Sequence, residues 1–187
     1  MRRFQFLRLL TAFATLLALM AHPAAPQDEK TTARVTIAQS AGPPGGSVAV
    51  PIQLAAAEPG QVGSLTLQLR FPAAQLTFTK VEMGGLGEAV GAEAAVVAKE
   101  IAGETLLELT IAAPEKNGTR TPLPDGPIAH LLFKIASRLK PETAITLRVQ
   151  VTAGGARPGV GPVSVVARDG EIIVSNPSVI GCFFYMH

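Results

Sequence analysis

The sequence predicts an all-β protein in which two sheets pack into a sandwich. Between residues 31 and 174, nearly every apolar segment alternates with polar residues or forms a short run of Val, Ile and Leu. Most of these segments are bounded by turn residues, and the chain has 18 glycines and 15 prolines. Short strands punctuated in this way are typical of all-β sandwiches. The length of 187 residues fits one such domain.

The first 27 residues have the layout of a secretory signal peptide. Arg2, Arg3 and Arg8 precede an apolar run over residues 9–21, and the small-residue stretch AHPAAPQ follows. The alternative is a membrane span, but the run is shorter than the roughly 20 apolar residues that a helix needs to cross a bilayer. We therefore predict that residues 1–27 are removed and that the mature protein is secreted, to the extracellular space or the cell envelope.

Removal of that segment changes the charge balance. The full chain has 16 Lys and Arg against 14 Asp and Glu, a formal net charge of +2. Without the three early arginines, thirteen basic residues remain against fourteen acidic ones, a net charge near −1. This balance, without a clustered basic face, argues against nucleic acid as a partner. The single cysteine, Cys182, cannot form a disulfide within the chain, so packing must supply the stability.

The first half of the domain contains four candidate strands, at residues 34–39, 47–54, 65–70 and 76–80. Pro51 cannot donate a ladder hydrogen bond, which predicts a sheet edge or a bulge in the second strand. The third strand places three leucines on one face and Thr66, Gln68 and Arg70 on the other. Phe71-Pro72 then ends regular pairing. We expect this corner to connect strands of two different sheets.

The second half continues the pattern with candidate strands at residues 94–101, 105–113, 128–135, 144–151, 163–167 and 170–174. We predict a glycine-rich loop before the first of these and a turn at Ala102-Gly103-Glu104 after it. Asn117-Gly118-Thr119 is a turn sequence, with N-glycosylation as the alternative. The folded domain is predicted over residues 30–175, followed by a tail of unknown role over residues 176–187.

The sequence offers no catalytic or metal-binding constellation. His130 is the only histidine well inside the domain, and nothing places a Ser or Cys beside it. Glu100, Glu104 and Glu108 lie around a turn and on an exposed face, unlike the carboxylate pair of a glycoside hydrolase. Asp125 and Asp169 each precede a glycine, which is turn chemistry, and no calcium-type loop is present. We predict that the protein is not an enzyme and holds no cofactor and no metal.

Three blocks of the sequence resemble the cohesin domain in their order and spacing. They are GGSVAVPIQL, GSLTLQLRFPAAQLTFTKVEMG, and the pair DGPIAHLLFKI and DGEIIV. Where the family has Tyr-Asp-Pro, this chain has Arg70-Phe71-Pro72. The resemblance covers about residues 32–174 and implies a jelly-roll β-sandwich of roughly nine strands. It also implies binding to a dockerin module that carries its own calcium, commonly to attach polysaccharide-degrading enzymes to a scaffold or a cell surface.

The resemblance further implies a partner-binding sheet face, formed by the outward residues of four candidate strands. Hydrogen-bonding groups mixed with two exposed leucines, Leu106 and Leu132, suit a protein interface with an apolar centre. We expect these leucines to be the apolar anchors; the alternative is an ordinary solvated sheet face. The candidate binding residues are Thr66, Gln68, Arg70, Leu106, Glu108, Thr110, His130, Leu132 and Arg148.

Two other functions remain open beside noncatalytic protein binding. A carbohydrate-binding module needs aromatic platforms on which sugar rings stack, yet the chain has no Trp and its one Tyr, Tyr185, lies in the tail. Phe71, Phe78 and Phe133 occupy positions expected in the core or at the corner. Polysaccharide is therefore a weaker partner prediction than a dockerin. A structural or adhesive domain of the cell envelope is the second alternative.

Overall fold

The computed structural model describes residues 32–157 and 161–176, which form two large β-sheets packed face to face and one separate two-stranded hairpin. One short helix, α1 (Gly85–Ala89), occurs in these residues. The strands are β1 (Ala33–Ile37), β2 (Ser40–Gly42), β3 (Ser47–Ala55), β4 (Val62–Pro72), β5 (Leu76–Met83), β6 (Glu93–Ile101), β7 (Glu104–Ala112), β8 (Glu115–Lys116), β9 (Thr119–Arg120), β10 (Gly126–Ile135), β11 (Ala144–Gly155), β12 (Pro162–Val163), β13 (Val165–Arg168) and β14 (Gly170–Val174).

The two sheets enclose one apolar core, which confirms the predicted sandwich. The five-stranded sheet has the order β13-β1-β3-β10-β5, and the seven-stranded sheet has the order β2-β14-β11-β4-β7-β6 with β12 paired to β11. Neighbouring strands are antiparallel except for β1 with β13 and β14 with β2. Alternate residues of the long strands point between the sheets, and no polar or charged residue of the described part is buried there.

The strand count differs from the prediction of about nine, because the described residues contain fourteen strands. Nine of them have five or more residues, and each overlaps a candidate strand of the sequence; the tenth candidate, residues 163–167, overlaps β12 and β13. The other five, β2, β8, β9, β12 and β13, have two to four residues each. Three of these, β2, β8 and β9, overlap no candidate strand, because alternation cannot be recognised over two or three residues.

The Phe71-Pro72 corner joins the two sheets, as predicted. β4 belongs to the seven-stranded sheet and β5, three residues later, to the five-stranded sheet. Phe71 is buried and meets Phe133 of β10 edge to face, with ring centroids 5.2 Å apart. The corner therefore carries an aromatic contact that packs one sheet against the other.

Pro51 lies in an interior strand, so the prediction of a sheet edge or a bulge is wrong. β3 pairs with β1 on one side as far as Ile52 and with β10 on the other, where Pro51 is paired with His130; the register shift of this pair lies in β10, between Pro127 and Ala129. The Pro51 carbonyl accepts a hydrogen bond from the Ala38 N–H at 2.9 Å, just beyond the end of β1. In an antiparallel strand the N and O of one residue face the same neighbour. The missing N–H therefore faces the point where β1 has ended, and no ladder bond is lost.

The segment between β5 and β6 contains α1, where the sequence predicted only a loop. α1 packs close to β10, since a Cβ at Gly87 would lie 2.6 Å from the Ile128 carbonyl oxygen. The predicted turn after β6 is confirmed. Ala102 and Gly103 have φ values of 51° and 82°, which is the pattern of a two-residue type I′ hairpin.

Several predictions concern residues outside the described part of the chain. The predicted signal peptide, residues 1–27, lies there, and so does the predicted tail apart from Asn176. Export, the domain bounds at residues 30 and 175, and a role for the tail stay predictions. Among the described residues, no helix is long and apolar enough to cross a membrane.

Candidate functional site

The outer face of the seven-stranded sheet carries most of the predicted binding residues. In β4 the three leucines are fully buried, so the residues between them point to solvent. The same alternation turns one side of β7 and of β11 outward. We call this surface the outer face. The predicted residues on it are Thr66, Gln68, Arg70, Leu106, Glu108, Thr110 and Arg148.

Cross-strand pairing arranges these side chains in rows. Arg70 of β4 is paired with Leu106 of β7 on one side and with Arg148 of β11 on the other, and Leu106 is paired with Lys99 of β6. Directly paired residues have Cβ atoms about 5 Å apart. One row, which we call the basic row, therefore runs Lys99, Leu106, Arg70, Arg148. In this row one apolar side chain, that of Leu106, has cations on both sides.

Two adjacent rows present polar side chains that contact each other weakly. Gln68 Nε2 donates to Glu108 Oε1 at 3.5 Å, and the hydroxyls of Thr66 and Thr110 are 3.4 Å apart. Both distances are at the long limit for hydrogen bonds. These exposed groups therefore keep most of their donor and acceptor capacity for a partner.

The cations of the basic row are accessible. Arg148 has one long ion-pair contact, 3.9 Å from its Nη1 to Glu104 Oε1, and its side chain is mostly exposed. An exposed pair at this distance contributes little to stability. Arg70 makes no ion pair with any residue in the described ranges. A partner could bind either guanidinium without first breaking a strong interaction.

β6 adds apolar side chains to the outer face that the sequence analysis did not assign to it. Val97 is 51% exposed and pairs with Glu108, while Ile101 is 55% exposed and pairs with Glu104. The sequence did contain the signal. A turn of two residues forces the strands on either side of it to pair, so the predicted turn at Ala102 places β6 beside β7.

Comparison with known proteins identifies the family. A family model described as the cohesin domain matches residues 33–174. The chain belongs to the cohesin domain family. A search of curated proteins found no match to its sequence.

Solved cohesin structures share the fold of this chain. The sixth cohesin of scaffoldin B from Acetivibrio cellulolyticus, solved with a dockerin, is 20% identical, with a TM-score of 0.62 over 78% of this chain and 100% of that one. A cohesin of OlpC from Clostridium thermocellum, also in a dockerin complex, is 16% identical, with a TM-score of 0.61 over 77% and 94%. A non-cellulosomal cohesin from the archaeon Archaeoglobus fulgidus is 17% identical, with a TM-score of 0.57 over 83% and 99%.

His130 and Leu132 do not lie on the outer face, so the prediction that they share it with the other candidates is wrong. Both belong to β10, an interior strand of the opposite, five-stranded sheet. Leu132 is paired there with Ala49 and Lys80, on the other side of the sandwich from Leu106. The alternation of β10 correctly predicts which residues point outward. It carries no information about which sheet the strand joins.

The aromatic residues of this cohesin's described ranges contribute to packing. Phe71 and Phe133 are buried, and Phe78 packs against the core with its ring 5.9 Å from that of Phe133. Neither sheet surface of residues 32–157 and 161–176 therefore presents an aromatic platform for a sugar ring. The positions predicted for these three residues are confirmed.

The described residues contain little that suits catalysis or metal binding. No group of three His, Cys, Asp or Glu side chains in these ranges is close enough to hold a metal ion. A groove of about 380 Å³ beside the β8–β9 hairpin is lined by Glu93, Thr110, Glu115 and Arg120, among others. Arg120 forms an ion pair with Glu115 at 2.9 Å. This pair neutralises the positive charge that would attract an anionic ligand.

Proposed function

We propose that this cohesin domain is a secreted, noncatalytic adaptor that binds a dockerin module through its outer face. Two findings support the proposal. The chain belongs to the cohesin family, and the Acetivibrio and Clostridium cohesins of similar fold were solved in complex with dockerins. The single observation that carries the choice of surface is the basic row, in which cations flank a half-buried apolar side chain on the outer face of the sheet.

The chemistry of the basic row fits a small helical partner. Leu106 would enter an apolar contact at the centre of the interface, supported by Val97 and Ile101 at the β6 side. Arg70 and Arg148 would meet carboxylates or the carbonyl groups at a helix C-terminus, which carries a partial negative charge. The charges set the orientation and the association rate, and the apolar centre supplies most of the affinity.

The polar rows would adjust the fit around this centre. Gln68, Glu108, Thr66 and Thr110 hold their mutual contacts at 3.4 to 3.5 Å, so a partner's hydrogen bonds can replace them at small cost. His130 and Leu132 are excluded from the proposed interface, because stacked sheets lie about 10 Å apart and these residues point away on the far side.

The calcium of the complex is proposed to belong to the partner. Within the described residues no cluster of acidic or histidine side chains could hold a metal, whereas the resemblance to cohesins implies a calcium-loaded dockerin. Polysaccharide degradation is the proposed setting, with the enzyme supplied by the dockerin-bearing protein rather than by this chain.

The proposal can be tested by affinity capture from the secreted and envelope proteins of the source organism. The mature protein is immobilised on one column and the charge-reversed variant Arg70→Glu/Arg148→Glu on a matched column. We expect the first column to retain a dockerin-bearing protein in calcium buffer and to release it when calcium is chelated. The second column should retain much less of the same protein, while both eluates are identified by mass spectrometry.

Two outcomes would contradict this function. Equal recovery on both columns would show that the outer face is not part of the interface. Recovery of no dockerin, together with retention of the protein on insoluble polysaccharide, would support the carbohydrate-binding alternative instead. Retention on polysaccharide would then have to come from polar side chains, since the aromatic residues of the described part are in the core.

A further inference from the structure

β6 is a long sheet edge that lacks a neighbour on one side. It pairs with β7 along nine residues, and no other described strand runs along its second edge. Alternate N–H and C=O groups of β6 therefore face outward without a main-chain partner. The opposite end of the same sheet is closed by β2, which has only three residues. Long free edges pair with other chains unless side chains prevent it.

The residues of β6 do little to prevent such pairing. From Ala94 to Ala98 the strand has only alanine and valine, and it contains no proline and no glycine. The charged residues of the strand are Glu93 at its start and Lys99 and Glu100 near its end. Glu93 and Lys99 belong to the outer face, because they are paired with outward residues of β7, whereas Glu100 is paired with Thr105 and points to the other face. A single lysine on an edge usually protects it, but here an opposite charge lies six residues away on the same face.

This spacing makes the edge complementary to itself. When a second β6 is placed antiparallel with Val96 opposite Val96, Glu93 of each copy faces Lys99 of the other. Ala95 then faces Val97, and Ala94 faces Ala98, so the pairs between the two charge pairs are small and apolar, and Glu100 falls beyond them, opposite Ala92. A shift by one residue would turn the side chains to the wrong faces. A shift by two in either direction would break both charge pairs.

We propose that two copies of this chain associate through antiparallel pairing of their β6 edges, with two symmetric Glu93–Lys99 ion pairs. The interface is isologous, as a two-fold dimer requires. Its axis is perpendicular to the sheet, so the two seven-stranded sheets become continuous and both outer faces point in the same direction. The proposal does not depend on dockerin binding, because it rests on the free edge and the charge pattern of β6 alone.

The test uses charge swaps in the mature chain, with reductant present so that Cys182 cannot link two copies. Sedimentation equilibrium over a wide range of protein concentration measures the dimer dissociation constant. In Lys99→Glu, each symmetric pair becomes Glu facing Glu, and in Glu93→Lys it becomes Lys facing Lys. We expect each variant alone to raise the dissociation constant by at least about tenfold, since facing like charges oppose association.

The decisive sample is an equimolar mixture of the two variants. In a mixed dimer both pairs are again Glu facing Lys, so we expect the mixture to dimerise about as well as the wild type. Lys134→Glu, which makes the same charge change on the five-stranded sheet, is the matched control and should leave the dimer intact. Thermal unfolding of each variant checks that the fold is unchanged.

Three results would overturn the proposal. The wild-type chain could remain a monomer at the highest concentration reached. A dimer could form with the same dissociation constant in the single variants, which would exclude the β6 pairing. The mixture could also fail to recover the association lost in the separate variants, which would exclude the proposed register.

Discussion

Leu106 and Leu132 are a matched pair for testing which sheet binds the partner. Both are half-buried leucines that point outward from an interior strand, but they lie on opposite sheets. Truncation of Leu106 to alanine removes apolar atoms that the proposed interface would bury, at a cost of about 2 kcal/mol. That cost corresponds to a roughly 30-fold larger dissociation constant, which means weaker binding. Alanine is preferred to aspartate here, because a carboxylate at position 106 would find Arg70 and Lys99 as ion-pair partners.

The assay is titration calorimetry of the wild type, Leu106→Ala and Leu132→Ala with the dockerin recovered by affinity capture. We expect Leu106→Ala to weaken binding by about 30-fold and Leu132→Ala to leave it unchanged. Thermal unfolding should show a similar small loss of stability in both variants, since both side chains have similar exposure. Equal affinities for the two variants, or a larger loss for Leu132→Ala, would refute the assignment of the outer face.

Three further predictions concern the turn, the charge and the helix. Ala102→Asn should raise the free energy of unfolding by about 0.5 to 1 kcal/mol, because asparagine tolerates the positive φ of 51° better than alanine; an unchanged or lower melting temperature would contradict this. Arg70→Glu should weaken dockerin binding mainly at low ionic strength, so its effect should shrink as salt is added in the same calorimetric titration. Gly87→Ala should destabilise the fold by about 1 to 3 kcal/mol, because its Cβ would lie 2.6 Å from a carbonyl oxygen of β10. The control Gly85→Ala, with open space at its Cβ, should cost nothing in the same denaturant titration.

The long strands were predictable because their side chains alternate between a buried core and solvent. In β4 this alternation fixes both the buried leucines and the outward Thr66, Gln68 and Arg70. The Phe71-Pro72 corner was predictable for a different reason, since proline restricts the residue before it and ends the ladder. Both signals depend only on residues close together in sequence, and the folded chain shows the structure that each of them predicts.

Sheet membership was not predictable from alternation, because it depends on contacts between residues distant in sequence. β7 and β10 show the same pattern of outward leucine and polar residues, yet they lie in opposite sheets. This is why Leu132 was grouped with Leu106. Pro51 shows a related limit: its missing N–H is tolerated only because β1 stops one residue earlier, which no feature of β3 alone reveals.

The turn at Ala102 and Gly103 links the two proposals, because it places β6 at the edge of the outer face. Lys99 would then serve both surfaces: it ends the basic row beside Leu106, and it would pair with Glu93 of a second copy. Pairing across the edge would neutralise part of the positive charge at that end of the row. The dimer would therefore bind an acidic partner with a smaller contribution from Lys99, leaving Arg70 and Arg148 as the principal cations. By linkage, a partner that needs Lys99 would favour the monomer. The measurement that checks this is the dissociation constant of the dimer in the presence of saturating dockerin. It should rise if Lys99 contacts the partner and stay constant if it does not.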